Sequence, residues 1–483
     1  MQQLSNMDAS FLSLESPRTP MHIGCVWTFS TTNTKAMTFP RFKRHISSRL
    51  PISPIFRRRL STLPMDIDQP YWIEDPYFDI DNHLKHVRIN DNKAASNKDV
   101  SAQKNQFIND FFSQTLASDQ PLWEMLFIES SAATDDAFTV LLKFHHAAVD
   151  GMSAEKILSG LLSVDKEGAE PLEDNWVSES PSIVRMTSNK IRSLYNSPKE
   201  ALALTKTLSH SLKRSLQLRF RDKEQQPPHF FMSPKSPFNN EIKSTRHLSS
   251  AHLPLNTIKS IRKAHPDYTI NDLVLAICSG ALRKQLITQG QLPKTPLVAM
   301  APVSKRAGSE GHQGNLISPM LVSLATDIEC PVERLKAINN HALKAKEYNR
   351  EVAMEQIINH LPAWSSAWVT KAYTRLRVAN KLNPIFNLII TNVPGPRCPL
   401  YLDGAELKSM EGMAPIVDGM GLTLVITSYI DTLTVGITST PEMAVHAPSL
   451  IAYLHESLEA LERALIPSEH AEKAIASPLS QAI

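Results

Sequence analysis

Between residues 123 and 162 the apolar positions change rhythm twice. Trp123 to Glu129 and Phe138 to Phe144 are short, apolar, β-prone runs, and Thr134-Asp135-Asp136 supplies turn chemistry between them. That pattern predicts a β-hairpin. From Ser153 onward Ile157, Leu158, Leu161 and Leu162 share one helical face, with Ser153 placed to cap it. Upstream, Phe11 to Leu14 reads as a short helix leading into a strand from Met21 to Phe29. Pro40 to Leu60 reads as a helix broken at Pro51 and Pro54 and ending in Arg57-Arg58-Arg59. Residues 103–116 present Phe107, Phe111, Phe112 and Leu116 on one face.

The C-terminal part shows the same mixture of rhythms. Thr269-Ile270-Asn271-Asp272 has the form of a helix start, followed by an apolar run to Leu286. Leu297–Pro302, Leu321–Leu324 and Ile385–Ile390 read as strands, the last with Asn387 as its one polar interruption and a turn from Thr391 to Pro396 after it. Gly404, Gly419 and Gly421 mark turns before two final strands, Leu422–Tyr429 and Thr432–Ile437. A helix follows from Ala447 to Leu465.

Between the two parts the texture changes. Asp165 to Asp174 is acidic and punctuated by Gly and Pro, and Pro227-Pro228 to Asn240 is proline-rich, which are boundary signals. The expected division is therefore an N-terminal domain over 1–165, a connecting region over 166–245, a C-terminal domain over 246–467 and a loose tail over 468–483. Each domain is expected to be a mixed α/β unit, a mostly β core covered by helices in two layers. In the connecting region Leu204, Leu208, Leu212, Leu216 and Phe220 follow one helical face, flanked by Lys206, His210, Lys213, Arg214 and Arg221. Such a helix can lie on an anionic lipid surface, or it can be a linker with a solvated basic back.

Composition narrows the functional classes. At 483 residues the chain exceeds what one core usually supports. A net charge of +3 gives no argument for nucleic acid. Cys25, Cys278, Cys330 and Cys398 are scattered, as expected of reduced thiols in a cytoplasmic protein. The first residues lack the basic and apolar regions of a secretory signal, and no run approaches the ~20 apolar residues of a membrane-spanning helix.

The stretch that carries chemistry is His145-His146-Ala147-Ala148-Val149-Asp150-Gly151, where the second strand of the hairpin ends. Imidazole is the side chain best matched to proton removal near neutral pH. One histidine could face a substrate hydroxyl, Asp150 could hold the loop through a charged hydrogen bond, and Gly151 allows a close approach that a Cβ would block. Two other readings stand beside it. The pair could bind metal, although no Cys-x-x-Cys or His-Glu-x-x-His cluster accompanies it, or both could be satisfied core residues.

This stretch resembles the active-site signature of CoA-dependent acyltransferases with the chloramphenicol-acetyltransferase-like fold. Leu4 to Phe11, Pro121-Leu122-Trp123-Glu124, Asn271 to Ala276 and Thr391 to Pro396 narrow the resemblance to the bacterial wax ester synthase/acyl-CoA:diacylglycerol acyltransferases. The resemblance runs from near the N-terminus to about residue 460. It implies two such domains facing across a substrate channel, with His146 as general base and His145, Asp150 and Gly151 completing the motif. It implies acyl-CoA as donor and a long-chain alcohol or diacylglycerol as acceptor, with no metal or redox cofactor. Asn271 and Asp272 would lie close to the site; Asn271 could donate to an oxyanion, and a capping role fits the spacing equally well. Thr391 and Asn392 could line the site or only bond their own turn. Lys305-Arg306 could meet CoA phosphates, although the family more often has an apolar residue where Lys305 stands. A water-insoluble acceptor further implies peripheral contact with a membrane or lipid inclusion.

Overall fold

The computed structural model describes residues 2–30, 37–62, 69–89, 97–129, 138–149, 157, 160–166, 172, 233–304, 317–352 and 383–466. The expected hairpin is present as β6 (Trp123–Glu129) and β7 (Phe138–His145), antiparallel, with Trp123 opposite Phe144. Its strands are apolar on both faces because both faces are covered. Trp123, Met125, Phe127, Val140, Leu142 and Phe144 pack with Phe42, Ile46, Leu50 and Phe56 of the α2 (Phe39–Arg49) region. Leu126, Ile128 and Leu141 alternate with them and pack on Ile108, Phe111 and Phe112 of α3 (Asn97–Ser113).

These strands sit in a six-stranded sheet with order β12-β13-β2-β7-β6-β5, where β2 is His22–Ser30, β5 Leu84–Arg88, β12 Tyr401–Leu402 and β13 Ala405–Met413. All its pairings are antiparallel except β5 with β6. Two of the six strands thus come from the stretch 246–467. A second six-stranded sheet has the order β10-β9-β11-β14-β15-β8. Its strands are β8 (His247–Pro254), β9 (Val298–Ser304), β10 (Ile317–Ser323), β11 (Leu388–Val393), β14 (Leu422–Tyr429) and β15 (Thr432–Ser439). The helices α4 (Leu255–Ala264), α5 (Ile270–Thr288), α6 (Pro331–Val352) and α7 (Ala447–Leu465) share one apolar core with it. A small sheet of β1 (Gln2–Gln3), β4 (Tyr71–Glu74) and β3 (Arg58–Ser61) completes the set, and α1 (Asn6–Leu14) follows β1.

Some sequence expectations shift in the structure. Arg57-Arg58-Arg59 does not end a helix: α2 stops at Arg49, two 3₁₀ turns carry Pro51 and Pro54, and Arg58 pairs with Glu74 in β3. Proline lacks the N–H and clashes with the preceding turn, so the helix yields before Pro51. The strand expected from Ile385 begins at Leu388 and runs on through Thr391 and Asn392 to Val393, because these residues still pair with β14. Strand β13 and helices α4 and α6 lie where no element was expected. The Thr134–Asp136 turn, Ser153, Leu158, the basic stretch of the connecting region and the tail all lie outside the described residues.

The two sheets meet through β13. Edge-on, β13 pairs with β2; face-on, it packs against β14 and β15. Thr427 Oγ1 donates to Met410 O (3.1 Å) and Tyr429 OH to Leu407 O (3.0 Å) across this contact.

Candidate active site

His145 ends β7 opposite His22 of β2, and His146 is the first residue past the strand. The main chain is pinned at both positions. His145 N–H donates to Leu122 O (3.0 Å), His146 N–H to Met21 O (2.8 Å) and Ala148 N–H to His145 O (2.9 Å). Rigid strands therefore hold the pair on both sides.

The two rings differ in environment. His145 is buried, 1% exposed, and its Nδ1 accepts the Ala147 N–H at 3.0 Å. Its Nε2 faces Glu15 Oε2 at 3.5 Å. His146 is half-buried and lies flat against Phe11, with ring centroids 3.9 Å apart and planes 13° from parallel. Its Nδ1 is buried without a partner meeting hydrogen-bond geometry. Burial pushes the His146 imidazole down to about 4, His145 acts in the same direction, and attraction to its own main-chain carbonyl partly opposes them. At neutral pH the ring is therefore uncharged, the form that can take up a proton.

Behind the pair lies a buried polar layer. Lys143, fully buried, donates from Nζ to Phe111 O and Gln114 O (both 2.9 Å) and stands 3.2 Å from Glu124. His22, also fully buried, bonds Phe112 O through Nε2 (2.9 Å). These acceptors are at the C-terminal end of α3, where carbonyls lack helical partners and the helix dipole favours a cation. Burial still lowers both Lys143 and His22 from their ordinary values.

The remaining candidates are distributed. Asp150, Gly151, Lys305 and Arg306 lie outside the described residues. Asp272 is 2% exposed and serves the helix: with Thr269 it forms a capping box at the start of α5, and its Oδ2 also accepts from Asn339 (3.0 Å). The cap is Thr269, with Asp272 its partner in the box. Asn271 is half-buried in the same turn, and Thr391 and Asn392 are half-buried on β11. No hydrogen bond among the described residues joins any of them to the histidine pair. Sequence reading missed Phe11, Glu15 and Met21. Phe11 belongs to the N-terminal segment that carried the resemblance, and Glu15 follows it by one helical turn.

Among the described residues no group of three or more His, Cys, Asp or Glu is placed to hold a metal ion. Cys278 is fully buried in α5 and its thiol is pushed up to about 12 by burial, so it is no ready nucleophile.

Two helix-covered sheets joined through β13, with a histidine pair at the end of a central strand, make the chloramphenicol-acetyltransferase-like fold. The first condensation domain of the CDA synthetase shares the fold at a TM-score of 0.56 and 12% identity, over 96% of this chain and 97% of that one. The chain belongs to the wax ester synthase/diacylglycerol acyltransferase family: the profile of its catalytic domain matches residues 4–274 and that of its C-terminal domain residues 313–462. It is similar to the O-acyltransferase WSD of Acinetobacter baylyi, 30% identical over 97% of this chain and 99% of the relative. It is also similar in structure to a wax ester synthase/diacylglycerol acyltransferase from Marinobacter aquaeolei VT8. That match has a TM-score of 0.66 and 25% identity, and covers 95% and 98% of the two chains.

Proposed function

We propose that this protein moves a fatty acyl group from acyl-CoA to a long-chain alcohol, giving a wax ester, or to diacylglycerol, giving triacylglycerol. His146 is the general base. The observation that carries this reading is the half-buried, uncharged His146 imidazole, held at a rigid strand end by Met21 and Phe11. The names borne by the relatives, wax ester synthase and diacylglycerol acyltransferase, supply the two acceptor classes.

In the reaction, His146 takes the hydroxyl proton as the acceptor oxygen attacks the thioester carbonyl carbon. The tetrahedral oxyanion collapses, the C–S bond breaks, and the CoA thiolate leaves and recovers a proton from the imidazolium. The half-buried Asn271, Thr391 and Asn392 are the candidates for steadying the oxyanion, Asp150 and Gly151 for shaping the loop, and Lys305 and Arg306 for the CoA phosphates. Acyl-CoA and acceptor would approach His146 from opposite ends of a channel between the sheets. The thioester already carries an activated acyl group, so no cofactor is needed. Replacing His146 by Ala should remove nearly all turnover of acyl-CoA with hexadecanol while the circular dichroism spectrum stays unchanged. A folded variant with near-wild-type turnover would refute the assignment.

The acceptors partition into membranes, and no helix among the described residues is long and apolar enough to cross one. Reversible peripheral contact is therefore part of the proposal. Between 183 and 221 the sequence places Arg185, Lys190, Arg192, Lys199, Lys206, Lys213, Arg214, Arg219 and Arg221 against Glu200 alone. Each basic residue near an anionic surface contributes about 1 kcal/mol, weakened by salt. Reversing Lys206, Lys213, Arg214 and Arg221 to Glu should cut sedimentation with anionic liposomes and spare turnover of a short, soluble alcohol. Unchanged sedimentation would assign that stretch to the linker role.

A further inference from the structure

The end of α1 touches both histidines, and the mechanism above gives its Glu15 no part. Phe11 and Glu15 stand one helical turn apart, with Glu15 N–H donating to Phe11 O (3.2 Å). Phe11 covers the His146 ring. Glu15 divides its two oxygens between two neighbours. Oε1 accepts the Met21 N–H at 3.2 Å, and Oε2 faces His145 Nε2 at 3.5 Å. The Met21 carbonyl in turn accepts the His146 N–H.

This arrangement fixes a tautomer. A main-chain N–H can only donate, so His145 Nδ1 must be the acceptor for Ala147, and the neutral ring carries its proton on Nε2. That nitrogen stands 3.5 Å from Glu15 Oε2, close enough for electrostatic attraction but outside hydrogen-bond geometry, and among the described residues it has no other hydrogen-bond partner. Glu15 thus accepts one hydrogen bond, from Met21, and turns its second negatively charged oxygen toward the His145 Nε2–H. A glutamine has one acceptor oxygen and would turn its NH₂ group toward one of the two donors.

We infer that Glu15 and Phe11 are positioning residues for the base, an inference that rests on reading His146 as that base. The Ala147 N–H selects the Nε2–H form of His145, Glu15 orients that ring by attraction to its Nε2–H, and through Met21 it sets the main chain of His146. Phe11 fixes the plane of the catalytic ring. Neither touches a reacting atom, and no proton passes through Glu15. The element responsible is local: Ser5 caps α1 by accepting the Asp8 N–H (3.1 Å), which sets the helix whose last turn delivers both side chains.

The test uses the full chain labelled with ¹⁵N at histidine, with the His145 signals assigned from a His145→Gln variant. In the wild type, two-bond proton–nitrogen correlations should show His145 as the Nε2–H tautomer. Glu15→Gln should leave that tautomer in place, shift the His145 Nε2 resonance, and lower kcat about ten- to a hundredfold, the scale set by misplacing a catalytic group by about an ångström. KM for acyl-CoA and the melting temperature should stay near wild type, and Glu15→Asp should recover part of the rate together with part of the Nε2 shift. An Nδ1–H tautomer in the wild type, or wild-type kcat in Glu15→Gln, overturns the inference. Should Glu15→Gln fail to fold, the wild-type spectrum and Phe11→Leu decide. Phe11→Leu should keep the tautomer and lose rate, and full rate there overturns the role of Phe11. An active His146→Ala variant would sink the base assignment alone, leaving the His145 signature to stand or fall separately.

Discussion

His146 combines two properties that burial couples. Removing the ring from water disfavours its charged form, which keeps it ready to accept a proton but also makes it a weak base in the free protein. If it is the catalytic base, the acid limb of kcat/KM should fall well below the ordinary histidine value of about 6.5, toward 4, because that limb reports the free enzyme. The same shift acts on stability. His22, His45, His83 and His341 are likewise held down, with burial the largest cause in each. The unfolded chain therefore binds protons first as pH drops below about 6.5. Stability is complete above that pH and declines as pH falls toward each folded value, by about 1.4 kcal/mol per pH unit per group. Initial rates between pH 7 and 4.5, taken where circular dichroism shows the native fold, check the first statement. Melting temperatures over the same range, which should fall with pH, check the second. An acid limb at 6.5 with the fold intact would mean that another group titrates in the rate.

At the level of elements, legibility followed the locality of the forces. The hairpin β6–β7, the start of α5, the strands β14 and β15 and the helix α7 were readable because their apolar periodicity is complete within a dozen residues. Strand β13 was not: Glu406, Lys408, Ser409 and Glu411 break the apolar pattern, and its burial comes from β2, nearly four hundred residues earlier. Asn387 looked like a defect in a buried strand and is instead a pin. Its Oδ1 accepts the Val298 N–H (2.8 Å), and its Nδ2 donates to Pro234 O (2.6 Å) and Asn239 Oδ1 (2.8 Å). A lone polar residue cannot announce such partners, since they arrive from two separate segments, β9 and the stretch from Pro234 to Asn239. The histidine pair was legible for the opposite reason, because the motif is contiguous. Glu15 and Phe11 were not, since their role depends on a fold that returns α1 to the end of β7.

Across the whole molecule, the sheet that bears the histidines is tied to the other sheet at a place where main chains nearly touch. Gly436 of β15 faces Gly412 of β13, and a Cβ added at Gly436 would run into the Gly412 carbonyl oxygen. A Cβ at Gly412 would in turn meet Val425 Cγ1. The obstacle at Gly436 is backbone on a strand paired across the first sheet, so it cannot rotate away as a side chain could. Gly436→Ala should therefore push β13 off β15 and cost about 1–3 kcal/mol, the usual range for overpacking. Gly421 provides the internal control. A Cβ there would come no closer than 3.2 Å, to the Thr440 methyl, and 3.3 Å to the Phe238 carbonyl oxygen, so a shift of about a few tenths of an ångström accommodates it, against a direct collision at Gly436. Because β13 is hydrogen-bonded into the histidine sheet and packed on the other, the destabilisation should appear as one shifted transition in urea, followed alike by tryptophan fluorescence and by loss of turnover. Equal urea midpoints for Gly436→Ala and Gly421→Ala would show that the close approach is not there. Separate transitions for fluorescence and turnover would show that β13 does not couple the two sheets.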